Sequence, residues 1–204
     1  VARGPGLTAV SLPLYLAAVV AGYVVGSLNP AATIARIRGV DLRASGSGNP
    51  GATNAARTMG RGVGALVLVL DLLKGFVPAV LFATFVGLAA GEVAGLAAVV
   101  GHVTSPFLRG RGGKGVATAL GAILGTHAIW ALPLLVVFVV TVALTRRVGL
   151  GAVAAAVALV PIALLMSNSW HTRAFALLIA AVILLRHVRN VRAALTGGDV
   201  STGR

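Results

Sequence analysis

Two segments of this chain gather the residue types that hold phosphate. GSGNPGATNAAR at Gly46–Arg57 and RGRGGKGVAT at Arg109–Thr118 each mix glycines with arginine or lysine. Glycine lets the backbone curl until successive N–H groups face an anion, and nearby cations compensate the charge. In the first segment Ser47, Asn49, Thr53 and Asn54 add hydroxyls and amides among the small residues Gly48, Gly51 and Ala52, and Arg57, ten positions after Ser47, can close over the same loop. In the second, Gly112, Gly113 and Gly115 surround Lys114, more glycine than anchoring to anionic headgroups requires. Both patterns point to an enzyme handling phosphorylated substrates beside lipid.

Other phosphate and hydrolase chemistries are excluded by context. Gly46–Gly51 matches the spacing GxGxxG, and Asp71 follows at a tempting distance, but that fingerprint needs a preceding strand and a crossover unit. Here an apolar helical run precedes it, and Asp71 lies inside the next one. RGRGGKG is too short for a Walker loop, and Gly115 stands where a metal-binding Ser or Thr belongs. The acidic residues are only Asp41, Asp71, Glu92 and Asp199, with no HExxH and no carboxylate pair, so neither a metal nor metal-dependent phosphotransfer is expected. No GxSxG elbow occurs, and no histidine is followed five residues on by Asp. Catalysis is left to positioning and electrostatics.

A few titratable residues remain. Asp71 and Lys74 are one helical turn apart and form either a structural ion pair or a substrate-facing one. His102, near the second glycine segment, and His187, at the start of a basic tail, are candidate hydrogen-bonding or acid–base groups. His127 and His171, with Trp130 and Trp170, read as interfacial groups at turns on the opposite side.

The elements that position these residues are membrane helices. The chain has 204 residues, 58% hydrophobic and 10% charged, whereas a soluble domain is about a quarter charged. The net charge of +13 is punctuated by apolar runs and forms no single basic face, so nucleic acid is not expected as a partner. The absence of cysteine leaves the redox compartment unread. Spans are expected at roughly 9–37, 63–87, 91–108, 115–128, 130–145, 148–167 and 172–187. Seven spans put almost every arginine and lysine on one side; merging 115–145 into one helix would put Arg146 and Arg147 on the wrong face. This predicts an all-α integral membrane protein, a seven-helix bundle with the N-terminus outside and the C-terminus cytoplasmic. The first span lacks a basic leader and cleavage pattern and reads as retained. No repeat or long linker divides residues 1–204, so a single domain is expected, with cytoplasmic motif segments at about 39–62, 109–118 and 186–199 and a frayed end after Leu195.

Taken together, GSGNPGATNAAR, GHVTSPFLRGRGGKGVAT and RHVRNVRAALTG closely resemble the motifs of the bacterial acyl-phosphate:glycerol-3-phosphate acyltransferases known as PlsY. The resemblance covers nearly the whole chain. It implies a seven-span enzyme of the bacterial inner membrane, expected as a monomer, with its site on the cytoplasmic side. It implies acyl transfer from acyl phosphate to the 1-hydroxyl of glycerol 3-phosphate, giving lysophosphatidic acid and inorganic phosphate. The donor is neither coenzyme A nor acyl carrier protein, and no cofactor is implied. By resemblance Ser47 and Arg57 are the essential motif-one pair, and Gly48, Asn49, Gly51, Ala52, Thr53 and Asn54 form the phosphate-holding loop. Lys114 is a phosphate ligand flanked by Gly112 and Gly113, and His187 and Asn190 contact glycerol 3-phosphate. His102, Asp71, Lys74 and Asp199 are supporting candidates.

The chain departs from the family pattern in three places. Asn29 and Pro30 replace the usual Pro-Phe after Gly26-Ser27, Gly110 stands where an aromatic is common, and Asp199 replaces a glutamate. A different class, a small organic-phosphate transporter with broken-helix anion sites, is the alternative reading. The clustering of the motifs at one face and the odd span count without repeats weigh against it.

Overall fold

The computed structural model describes residues 8–196. Arg3, Arg204, Asp199 and the end expected to fray from Gly197 onward lie outside the described residues. Among those described the chain is helical, without a strand: α1 (Thr8–Ser27), α2 (Pro30–Ile37), α3 (Ala52–Met59), α4 (Arg61–Phe85), α5 (Leu88–Thr104), a 3-10 turn (Pro106–Leu108), α6 (Val116–Thr126), α7 (Ala128–Thr145), α8 (Val148–Met166) and α9 (Trp170–Leu195). Six stretches are long and apolar enough to cross a membrane: Leu12–Ile37, Arg61–Phe85, Leu88–Leu108, Ala128–Thr145, Val148–Met166 and Trp170–Ala193. Their large side chains, such as Leu132, Val136, Val139 and Val140 of α7, are exposed on the outside, while alanines such as Ala94, Ala98 and Ala122 fill the interior. That inversion suits a chain whose solvent is hydrocarbon.

Three expected spans change form. The run 9–37 is two helices: α1 stops at Ser27, the Asn29 side chain accepts from the Ala32 N–H at 2.8 Å, and Pro30 takes the first helical position, where no N–H is needed. Asn29 also donates through Nδ2 to Pro50 O at 3.1 Å, so this departure from the family pattern tethers the first glycine segment. The run 172–187 continues to Leu195, which makes RHVRNVR the last turns of α9 and not a tail. The run 115–145 breaks at His127 as expected, but its first half is an 11-residue helix, α6. Eleven residues rise only about 16 Å, roughly half of the hydrocarbon thickness.

The loop before α6 accounts for that shortness. After the 3-10 turn the chain folds back along α5: the Gly112 N–H donates to Val103 O at 2.9 Å and the Gly113 N–H to His102 O at 3.1 Å. Gly115 then lies against Val99 and Val103, so α6 starts below the end of α5. It ends where His127 Nε2 meets Glu92 Oε1 at 2.8 Å, near the start of α5. Glycines allow the close packing this demands. A Cβ at Gly75 would overlap Thr118 O, one at Gly121 would overlap Leu72 O, and one at Gly26 would overlap Ala98 O.

The end of the bundle opposite the glycine segments holds a buried carboxylate. Glu92 accepts from Thr172 Oγ1 at 2.6 Å and meets His127 Nε2 and His171 Nδ1 at 2.8 and 2.6 Å. His127 stacks on Trp130 with centroids 4.1 Å apart. Trp130, expected at the interface, is instead 2% exposed within the core beside Phe175 and Ile179, because His127 and Glu92 give that end of α7 partners inside the bundle. Trp170 is 79% exposed, in keeping with an interfacial position.

Candidate active site

The first glycine segment is a loop from Gly46 to Pro50 followed by α3, with Gly51 as its N-cap. Asn54, buried, organises it. Its Oδ1 accepts the Ser47 N–H at 2.9 Å, and its Nδ2 donates to Leu42 O and Ser45 O at 3.2 and 3.1 Å. Gly46 has φ +58 and a Cβ there would strike Asn54 Oδ1, so the turn requires glycine on both counts. The amide of Asn54 is thus engaged in shaping the loop, and its consequence is that Ser47 is held by its backbone with the hydroxyl uncommitted.

In the second segment the N–H groups of Gly112 and Gly113 already bond to α5, so these glycines provide close approach and not N–H donors for a ligand. A Cβ on Gly113 would run into His102 Nε2. Arg186 Nη2 donates to Gly112 O at 3.0 Å, and Arg43 Nη2 donates to Arg111 O, fixing the loop from both flanks. Gly110, where an aromatic is common in the family, has φ +74 with open space around it. Lys114 Nζ donates to Asn190 Oδ1 at 2.6 Å, joining the second segment to α9. Burial, with the Arg186 charge nearby, lowers the Lys114 pKa from its ordinary 10.5.

His187 and Asn190 are three residues apart on α9 and so share a face. His187 is buried, and its Nδ1 lies 2.8 Å from Ile183 O. A carbonyl only accepts, so Nδ1 carries a proton and donates it to Ile183 O. Deeper in the bundle Asp71 pairs with Lys74 at 2.9 Å, and His102 Nδ1 lies 3.5 Å from the same carboxylate oxygen. Lys74 Nζ also donates to Leu28 O at 2.6 Å, which turns it toward the α1–α2 break.

One cavity of about 720 Å³ brings the segments together. Ser47, Asn49, Gly51, Ala52, Thr53, Asn54, Arg57, Lys114, His187 and Asn190 all line it, as do Asp71 and His102. Gly48, Gly112, Gly113 and Lys74 are not among its lining, and Asp199 is outside the described residues. Away from the polar residues the lining is apolar, with Leu68, Leu120, Ile123, Leu135, Phe138 and Leu159 from α4, α6, α7 and α8. Arg146, Arg147 and Gly149 also line it; in the sequence these two arginines were legible only as topology signals. A lining that joins cations and hydroxyls to an apolar stretch suits an amphiphile carrying phosphate. Among the described residues no group of three His, Asp or Glu side chains is arranged to hold a metal ion.

The family model described as glycerol-3-phosphate acyltransferase matches residues 16–197. The chain belongs to the glycerol-3-phosphate acyltransferase family. The glycerol-3-phosphate acyltransferase of Geobacter sulfurreducens is 45% identical over 83% of this chain and 88% of its own length. Glycerol-3-phosphate acyltransferase 1 of Deinococcus radiodurans is 40% identical over 92% and 96%. Among solved structures, the glycerol 3-phosphate form of PlsY, an integral membrane glycerol 3-phosphate acyltransferase, superposes with TM-score 0.87 at 37% identity, covering 90% of this chain and 92% of that one. Its lysophosphatidic acid form gives TM-score 0.84 at 35% identity. This acyltransferase is accordingly an all-α, multi-pass membrane enzyme, and the cavity joining its three motifs is the candidate place for the transfer.

Proposed function

We propose that this enzyme transfers an acyl chain from acyl phosphate to the 1-hydroxyl of glycerol 3-phosphate, releasing inorganic phosphate and lysophosphatidic acid. The observation that carries this reading is the single cavity whose lining joins cations and hydroxyls to an apolar stretch. The bound forms of the related PlsY, with glycerol 3-phosphate and with lysophosphatidic acid, support the acceptor and the product. An acyl phosphate is a mixed anhydride with a good leaving group, so a covalent acyl-enzyme is unnecessary. The glycerol hydroxyl attacks the carbonyl carbon, the carbon–oxygen bond to phosphate breaks, and the hydroxyl proton passes to the departing phosphate. Ser47, Arg57 and Lys114 hold phosphate oxygens, and the loop residues Gly48, Asn49, Gly51, Ala52, Thr53 and Asn54 shape their cradle. His187 and Asn190 orient glycerol 3-phosphate, and Gly112 and Gly113 let the Lys114 loop approach. Asp71, Lys74 and His102 support these groups from within the bundle; Asp199, outside the described residues, is carried only as a candidate of the third motif. The acyl chain lies along the apolar lining between α4, α6, α7 and α8.

The reading includes a seven-pass monomer in the bacterial inner membrane, with the short α6 as one pass, the N-terminus outside and the site facing the cytoplasm. The arginine distribution supports this orientation. Purified protein given palmitoyl phosphate and glycerol 3-phosphate is expected to form lysophosphatidic acid, and to form none from palmitoyl coenzyme A. Uptake of glycerol 3-phosphate into proteoliposomes without acylation would overturn the proposal.

A further inference from the structure

The α7–α8 turn supplies two cations to the cavity that none of the three motifs contains. Arg146 and Arg147 form this turn, and both line the same space as Arg57 and Lys114. Arg146 adopts φ 58, a left-handed conformation that at a helix end usually selects glycine, so a long cationic side chain stands where backbone economy favours none. The turn is seated directly on the motif residues, since a Cβ at Gly149 would collide with the Asn190 amide, the same amide that accepts from Lys114. Among the described residues no carboxylate pairs with either arginine. Asp41 bonds to the Arg43 and Ala44 N–H groups, Asp71 pairs with Lys74, and Glu92 is engaged at the opposite end. Arg146 is exposed and Arg147 half-buried, yet both belong to the cavity's lining, a placement that anchoring to headgroups does not require.

Charge arithmetic points the same way. Resting on the proposed reaction, the cavity receives two terminal phosphate groups, one on an ester and one on a mixed anhydride, each carrying roughly −1.5 to −2 at neutral pH. Arg57 and Lys114 together supply about half of the compensating charge, and Arg146 with Arg147 supplies the other half. We infer that Arg146 and Arg147 form a second phosphate subsite in the cavity, on the side of Lys114 and Asn190, holding the phosphate of one of the two substrates while the glycine segments hold the other.

The test is steady-state kinetics of lysophosphatidic acid formation by purified Arg146→Gln, Arg147→Gln and the double variant, each substrate varied with the other saturating. The double variant is expected to raise KM for one substrate by about tenfold or more, as loss of charge-assisted phosphate bonds does, with the other KM changed less than about threefold. The substrate whose KM moves identifies the phosphate held. Arg147→Lys and Arg146→Lys, which keep charge, are expected to recover most of the loss, and they cover the case in which a Gln variant does not fold. Unchanged KM values in a folded double variant, or equal rises in both KM values that Lys does not rescue, would overturn the inference. Wild-type protein that forms no lysophosphatidic acid would instead bring down the reaction on which it rests.

Discussion

At Ser47 backbone and side chain have separate tasks: the N–H is bound by Asn54 Oδ1, which sets the loop, and the proposed mechanism assigns the hydroxyl of this cavity-lining residue to phosphate. Ser47→Ala keeps the first and removes the second. It is expected to lower kcat by about 10²-fold with no change in thermal midpoint, as loss of one transition-state donor does; near-normal turnover in this variant would remove Ser47 from the mechanism. Lys114 carries a pH signature. Its ammonium loses its proton at lower pH than an ordinary lysine at 10.5 because burial penalises the charge and Arg186 repels it. Phosphate binds the charged form, so affinity is full below the depressed pKa and falls as pH rises through it. The KM of a phosphate-bearing substrate is expected to climb on the alkaline side before pH 10.5, and Lys114→Arg to abolish that limb in a KM–pH profile. Single residues were the most legible level of this sequence, since glycine beside hydroxyl and cation has few other uses. The role of Asn54 as the loop's organiser was not, because its partners Leu42 and Ser45 are revealed only when the loop closes.

Among the elements, the loop–α6 unit decides the site's depth. By folding back along α5, the Arg109–Gly115 loop brings Lys114 alongside α9, where it meets Asn190. Gly113→Ala places a methyl against His102 Nε2 and is expected to cut kcat/KM by about 10²-fold. His102→Ala in the same chain relieves that collision, so the double variant is expected to lose less than the sum of the two singles in a double-mutant cycle. Gly75→Leu drives a side chain into Thr118 O and the backbone of α6 and is expected to lower the melting midpoint in detergent, where Gly62→Leu, at an open position, is neutral. Apolar periodicity located α4, α5, α7 and α8 to within a few residues. It placed α6 within two residues as well but not the loop before it, and it misjudged the ends of α1 and α9, for a common reason: hydropathy reports what faces lipid, not where hydrogen bonds turn the chain or end a helix. Asn29 caps a new helix inside an apolar run, a loop returns inside the bundle before α6, and α9 continues past its apolar stretch because the basic residues of the third motif are helical too.

For the whole molecule, the two ends of the bundle divide the work. One end gathers residues of the three motifs around the cavity; the other locks α5, α7 and α9 together through Glu92 and its partners His127, His171 and Thr172, which lie 35 to 80 positions from it and are therefore invisible as a motif. The absence of cysteine makes orientation directly testable. In intact cells, Asn168→Cys, at the Glu92 end, is expected to react with a membrane-impermeant maleimide, and Ala44→Cys, at the motif end, only after permeabilisation. The reverse pattern would invert the topology. The cavity's mixed lining makes the central chemical claim one of direct transfer, without an acyl-enzyme. Rapid-quench measurement of phosphate release from radiolabelled palmitoyl phosphate, with and without glycerol 3-phosphate, tests it most directly. Release that requires glycerol 3-phosphate and keeps pace with lysophosphatidic acid from the first turnover is the predicted result; a burst of phosphate stoichiometric with enzyme in its absence, leaving label on the protein, would contradict it.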